Sequence, residues 1–282
     1  MIRFQKMRVV NVTNTIREFF EYQNRDIYHI KGGDSVITSE SWEAKKSFRL
    51  FLIALFVLLI TPFFASGTWK TFESERVIFF CSENLPDDFC FMVLQEQEDA
   101  LKFVEELLNV KVNTEKEKIF VYLLLEKTLR DTFTSWNSIT YLVTPEMIQK
   151  HEKLGACEIT HVVVNRLWPG TSVMLKEGIA LTMDTIYRGN ENRLHLLVHG
   201  LIKLGESKPV LQLKPYEPFA RQIVGSFTLY LMRRYGVEKL KELLKAQKKG
   251  MPGKLDETIK TVYGRNDVNI DQNCVLSSTG FA

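Results

Sequence analysis

Residues 50–65, LFLIALFVLLITPFFA, carry no charge and present no polar face. As a helix the run is about 24 Å long at ~1.5 Å per residue. A bilayer's hydrocarbon core is about 30 Å thick, and Phe48 and Trp69 extend the run toward its interfaces. A helix that is apolar all round has no side to offer water, so a transmembrane helix is the reading, with a buried core helix as the alternative. Lys45, Lys46 and Arg49 precede the run, whereas Lys70, Glu73, Glu75 and Arg76 come after it. The positive charge on the N-terminal side predicts a cytoplasmic N-terminus and an outward-facing bulk. The expected organisation is a single-pass protein of the cell membrane. It comprises a cytoplasmic segment (1–47), a signal anchor (48–67), an extracytoplasmic domain (73–263) and a tail (264–282). A cleaved signal peptide is the rival, because ASGT after the run offers small residues for cleavage. About 45 preceding residues make a long n-region for that reading.

Beyond the run the composition is that of an ordinary globular protein. The chain has 282 residues, 45% hydrophobic and 25% charged, enough for one domain of about 200 residues plus extras. A net charge of +3, with no basic patch interleaved with aromatics, argues against a nucleic-acid partner. The cysteines are Cys81, Cys90, Cys157 and Cys274. Outside the cell, Cys81 and Cys90 form a disulfide or remain two unpaired thiols. In the N-terminal segment Thr15 and Glu18 frame a capping box for a short helix, which serves as a partner-binding element or as a loosely ordered leader.

The pattern downstream predicts an α+β fold, a small N-terminal β-sheet with helices and then a mainly helical part. ERVIFFC (75–81) and EKIFVYLLL (117–125) read as strands, with the amphipathic EQEDALKFVEELLNV between them. EKTLRDTF reads as a short helix and SITYLVT as a third strand. Pro145 opens a helical region in which one helix runs from about Pro145 or Gly155 to Leu167, ahead of Pro169. Further helices are expected over 173–187, over ENRLHLLVHGLIKLG, over FARQIVGSFTLYLMRRYG and over VEKLKELLKAQKKG.

Within the helical part, CEITH (157–161) carries the chemistry. Residues four apart share a helix face, so Cys157 and His161 point the same way, and Glu158 is rotated by about 100° to flank them. Two ligands one turn apart with a neighbouring glutamate is the geometry of a zinc helix that activates water. Glu177 lies on the next helix, just ahead of Gly178 and Ala180, small residues that let two helices approach closely.

CEITHVVVNRLWPG with VMLKEGIALTMD resembles the gluzincin zinc metallopeptidases of the peptidase-MA-like group, whose pattern is H-E-x-x-H and then E-G-x-A. FARQIVGSFTLYLMRRYGVEKLKELL is similar to that group's later helix, and the resemblance spans residues 75–263. It implies zinc held by Cys157, His161 and Glu177, Glu158 as general base, and a peptide or protein substrate hydrolysed outside the membrane. The chain departs from the group at three places. Cys157 stands for the first histidine, Arg221 stands about where a tyrosine is common, and the tail lacks a usual tryptophan.

A thiolate is a good zinc ligand, but its sulfur sits roughly 2 Å nearer the backbone than an imidazole's distal nitrogen. Thiolate and carboxylate together also neutralise the zinc dication, which acidifies its water less. An impaired peptidase and an inactive pseudopeptidase that binds peptide or protein are therefore both open. A membrane sensor signalling through residues 1–47 is a third reading. Other polar residues have smaller roles. His195 and His199, four apart on one helix, read as an ordinary pair rather than a second metal site. His151 and Glu152 form an isolated pair. Arg221 reads as a surface salt-bridge residue in preference to an oxyanion donor. Asp184 reads as an orienting group behind Glu177.

Overall fold

The computed structural model describes residues 69–115, 117–126, 131–203, 213, 217–247 and 255–264. The expectations for residues 1–47, for the apolar run 50–65, for Cys274 and for residues 265–282 lie outside them. No described helix is long and apolar enough to cross a membrane.

The first part is a five-stranded sheet of order β1-β2-β3-β5-β4, built from β1 (Trp69–Glu73), β2 (Val77–Ser82), β3 (Ile119–Leu125), β4 (Asp131–Thr134) and β5 (Ser138–Val143). β2, β3 and β5 pair in parallel, and β4 runs antiparallel to β5 at the end of the sheet. The parallel β2–β3 pair needs a long crossover, which the helix α1 (Asp87–Leu108) supplies. Asp87 and Asp88 lie in the first turn of α1, where carboxylates complement the helix dipole. The sheet strands alternate between buried and partly exposed positions, as in Ile139, Tyr141 and Val143 of β5.

Seven further helices among the described residues come next in sequence: α2 (Pro145–Gln149), α3 (Cys157–Leu167), α4 (Val173–Tyr187), α5 (Glu191–Lys203), α6 (Ala220–Tyr235), α7 (Val237–Ala246) and α8 (Leu255–Tyr263). The architecture is thus α+β, with a small mixed sheet first and helices after it, as the sequence predicts. α3 packs on α1, α4, β4 and β5, and the most intimate helix pair is α4 with α6.

That pairing has a backbone cause. A Cβ on Gly178 would stand 2.5 Å from Thr228 Oγ1 and 2.9 Å from the Val224 carbonyl oxygen; one on Gly225 would stand 2.7 Å from Leu181. Only glycine allows this approach, and Thr182 Oγ1 spans the crossing by donating to the Gly178 and Gly225 carbonyls at 2.7 and 2.9 Å.

The structure decides between open alternatives at two places and differs from the expectations at others. Of the two starts open for the helix that ends at Leu167, the later one near Gly155 is close to what forms: α3 begins at Cys157, and α2 is a separate helix, because His151 and Gly155 take left-handed backbone conformations at φ 47° and 84°. Residues 131–133, expected to end a short helix, instead form β4 together with Thr134: the β-branched and aromatic TFT alternates across the strand and pairs with β5. Of the two readings left open for Cys81 and Cys90, the structure has the second: both are buried, Cys81 in β2 and Cys90 in α1, and no disulfide joins them. β1 and α8 form where no element was expected.

Candidate functional site

The site begins with the turn that leads into α3. Glu96, on α1 and buried, accepts hydrogen bonds from the backbone N–H groups of Leu154 and Gly155 at 2.8 and 2.9 Å. Asp184 Oδ1, on α4, accepts from the Ala156 N–H at 2.8 Å, and its other oxygen takes Arg188 Nε at 2.9 Å. Gln97 Nε2 reaches the Gly155 carbonyl, while its oxygen accepts from the Tyr141 hydroxyl at 2.9 Å. Three successive N–H groups at the start of α3 are therefore satisfied by two carboxylates, which also complement the positive end of the helix. Burial pushes the Glu96 carboxyl above its usual range, with the two N–H bonds acting in the opposite direction. Burial likewise raises the Tyr141 phenol well above its ordinary value.

On the helix so fixed, Cys157, Glu158 and His161 face α4, α6 and β4. His161 Nε2 lies 3.5 Å from Glu177 Oε1. Burial lowers the pKa of His161, and Glu177 opposes that shift. Glu177 Oε2 is 3.3 Å from Arg221 Nε of α6, and Arg221 Nη2 donates to Cys157 Sγ. One guanidinium thus bridges α3 and α4. Cys157 is buried, and burial pushes its thiol far above the ordinary value despite the arginine beside it.

Glu158 turns toward the sheet. Its Oε1 accepts from Thr132 Oγ1 at 2.9 Å, and its Oε2 accepts from Thr134 Oγ1. Both oxygens of the expected general base are held by hydroxyls of β4, two residues apart on one face of the strand.

These side chains meet the demands of zinc only in part. Two donors sharing a tetrahedral zinc stand about 3.3 Å apart, given bonds of about 2.0–2.1 Å. The His161–Glu177 separation of 3.5 Å is close to that. The third corner differs: Cys157 faces the Arg221 guanidinium, which also faces Glu177. Among the described residues no group of three His, Cys, Asp or Glu side chains is arranged to hold a metal ion. As they stand, Cys157, His161 and Glu177 do not fit zinc, because a cation of the chain already lies between two of them.

The structure gathers all four residues named from the CEITH and KEGIA motifs and adds three to which the sequence assigned other roles or none. Arg221 is the surface salt-bridge arginine expected, and its partner is Glu177, which brings it to the site. Thr132 and Thr134 were hidden by the helical reading of their segment, although the alternation in DTFT carries the strand signal. Asp184 orients the backbone ahead of Cys157 rather than Glu177. His195 Nδ1 lies 2.8 Å from Ser226 Oγ. His199 Nδ1 is buried with no hydrogen-bond partner among the described residues. His151 is exposed, 3.7 Å from Asp88.

No protein-family model matches the chain, and no curated protein sequence matches it.

Proposed function

We propose that this chain is a membrane-anchored protein of gluzincin-like architecture that binds a peptide or protein segment outside the membrane without hydrolysing it. The observation that carries this reading is the Arg221 bridge. Hydrolysis of the expected kind needs a metal to polarise the scissile carbonyl and to acidify a water, with a free carboxylate to take its proton. Here the guanidinium stands between Cys157 and Glu177, and both Glu158 oxygens already accept threonine hydroxyls. The same groups suit recognition. Glu177 and Arg221 are partly exposed charges of opposite sign, and Glu158 lies beside the end strand of the sheet. Such charges orient a peptide's amides and termini by charge-assisted hydrogen bonds.

The test uses the full chain in mild detergent, with a fluorogenic peptide library for cleavage and labelled peptides for binding. The expected result is cleavage no faster than in Glu158→Gln, together with saturable binding that Arg221→Ala weakens. Cleavage by the wild type that Glu158→Gln abolishes would overturn the proposal in favour of a zinc peptidase using Cys157, His161, Glu177 and Glu158.

A further inference from the structure

We infer that Arg221 is a built-in replacement for a metal ion, its guanidinium tying α3 to α4 from α6 as a bound cation would. The inference rests on the non-catalytic reading above and explains how the site holds together under it.

Three helices meet at the site, and the α4–α6 crossing at Gly178 and Gly225 fixes two of them at close range. Glu177 and Arg221 lie at that crossing, 3.3 Å apart. From there Arg221 Nη2 reaches across to Cys157 on α3. A zinc ion needs its donors about 2.0–2.3 Å from a single point. A guanidinium instead spreads its donors round a plane and binds acceptors at about 2.7–3.2 Å, so it suits acceptors that stand further apart.

Cys157 is such an acceptor. Its sulfur stops roughly 2 Å short of where an imidazole nitrogen would end, which leaves space between α3 and Glu177. Arg221, the longest cationic side chain available, enters that space from the opposite helix. The short acceptor at 157 and the long cation at 221 are therefore complementary, the guanidinium reaching across to the sulfur. His161 keeps its place because its partner is Glu177, 3.5 Å away, and not the cation.

The experiment compares full-length wild type, Cys157→His, Arg221→Ala and the double variant, each by zinc content after zinc-replete purification and by melting with zinc or chelator. Wild type is expected to hold no stoichiometric zinc and to melt at the same temperature with zinc or chelator. Cys157→His alone is expected to stay largely metal-free, because the arginine remains. The double variant is expected to take up stoichiometric zinc and to melt higher with it. Stoichiometric zinc in the wild type, or a folded double variant that takes none, overturns the inference.

If the double variant fails to fold, Arg221→Lys and Arg221→Met decide. The lysine variant keeps the positive charge and must melt nearer the wild type; equal melting of the two overturns the inference. The outcomes also separate this inference from the functional reading. A metal-free wild type that cleaves peptide removes the functional reading and leaves the replacement standing. A zinc-loaded wild type that cleaves nothing does the reverse.

Discussion

Two clusters of charge flank α3, and they are built on opposite principles. At its start, Glu96 and Asp184 direct their oxygens at backbone N–H groups, and Glu96 is 5% exposed. On its face, Glu158, Glu177 and Arg221 engage other side chains, and Arg221 is 45% exposed. The first arrangement fixes where the chain goes. The second fixes which chemical groups meet there. Backbone partners cannot move without moving the helix, whereas side-chain partners exchange at modest cost, so the two clusters should respond very differently to substitution.

The largest effect is expected from Glu96→Ala. It strands two buried N–H groups and opens a cavity, which should cost about 3–5 kcal/mol in urea unfolding of the full chain. A loss under about 1 kcal/mol would show that the cluster at the start of α3 matters no more to stability than the face.

Gly178→Ala tests the helix crossing on which the face depends. A methyl group there meets the Val224 carbonyl oxygen at 2.9 Å, a backbone atom that cannot swing aside. Overpacking of this kind costs about 1–3 kcal/mol. Because α4 must retreat from α6, peptide binding should weaken along with stability; unchanged binding in a destabilised protein would uncouple the crossing from the site.

Glu96→Gln probes the same cluster through pH. The folded pKa of Glu96 is raised by burial from its ordinary 4.5, so the folded state keeps this proton to higher pH than the unfolded state. Its contribution is fully present below about pH 4.5 and is lost as pH rises through the raised value. Wild-type stability minus that of Glu96→Gln should therefore fall as pH rises above about 4.5. A difference that grows with pH contradicts this sign.

The smallest effect is expected on the face. Thr134→Val removes one hydroxyl from a partly exposed carboxylate that can turn to water, for about 1 kcal/mol or less. A loss as large as that of Glu96→Ala would erase the contrast between the clusters.

Much of this was legible in the sequence where one period dominated. The 3.6-residue pattern and its caps located α4 at 173–187, and the continuous apolar runs located β2 and β3. The resemblance carried by CEITH and KEGIA implied that His161 and Glu177 are neighbours, and they stand 3.5 Å apart. Three physical causes hid the rest. DTFT is too short to declare a strand without β5 beside it. The left-handed residue at His151 is not a glycine, so nothing in the letters marks the end of α2. Arg221 lies far along the chain from Glu177, and only the glycine-mediated crossing makes them neighbours.

The glycines at that crossing have one more consequence. Gly178, close to the Val224 carbonyl, and Gly225, close to the Leu181 side chain, let α4 and α6 approach without help from any group in the site. The chassis and its cargo are thus separately specified. Residues 157, 161, 177 and 221 can be exchanged for other chemistries while the helices keep their spacing. A site of this construction is a socket, able to pass from one occupant to another by a few substitutions without first losing the fold.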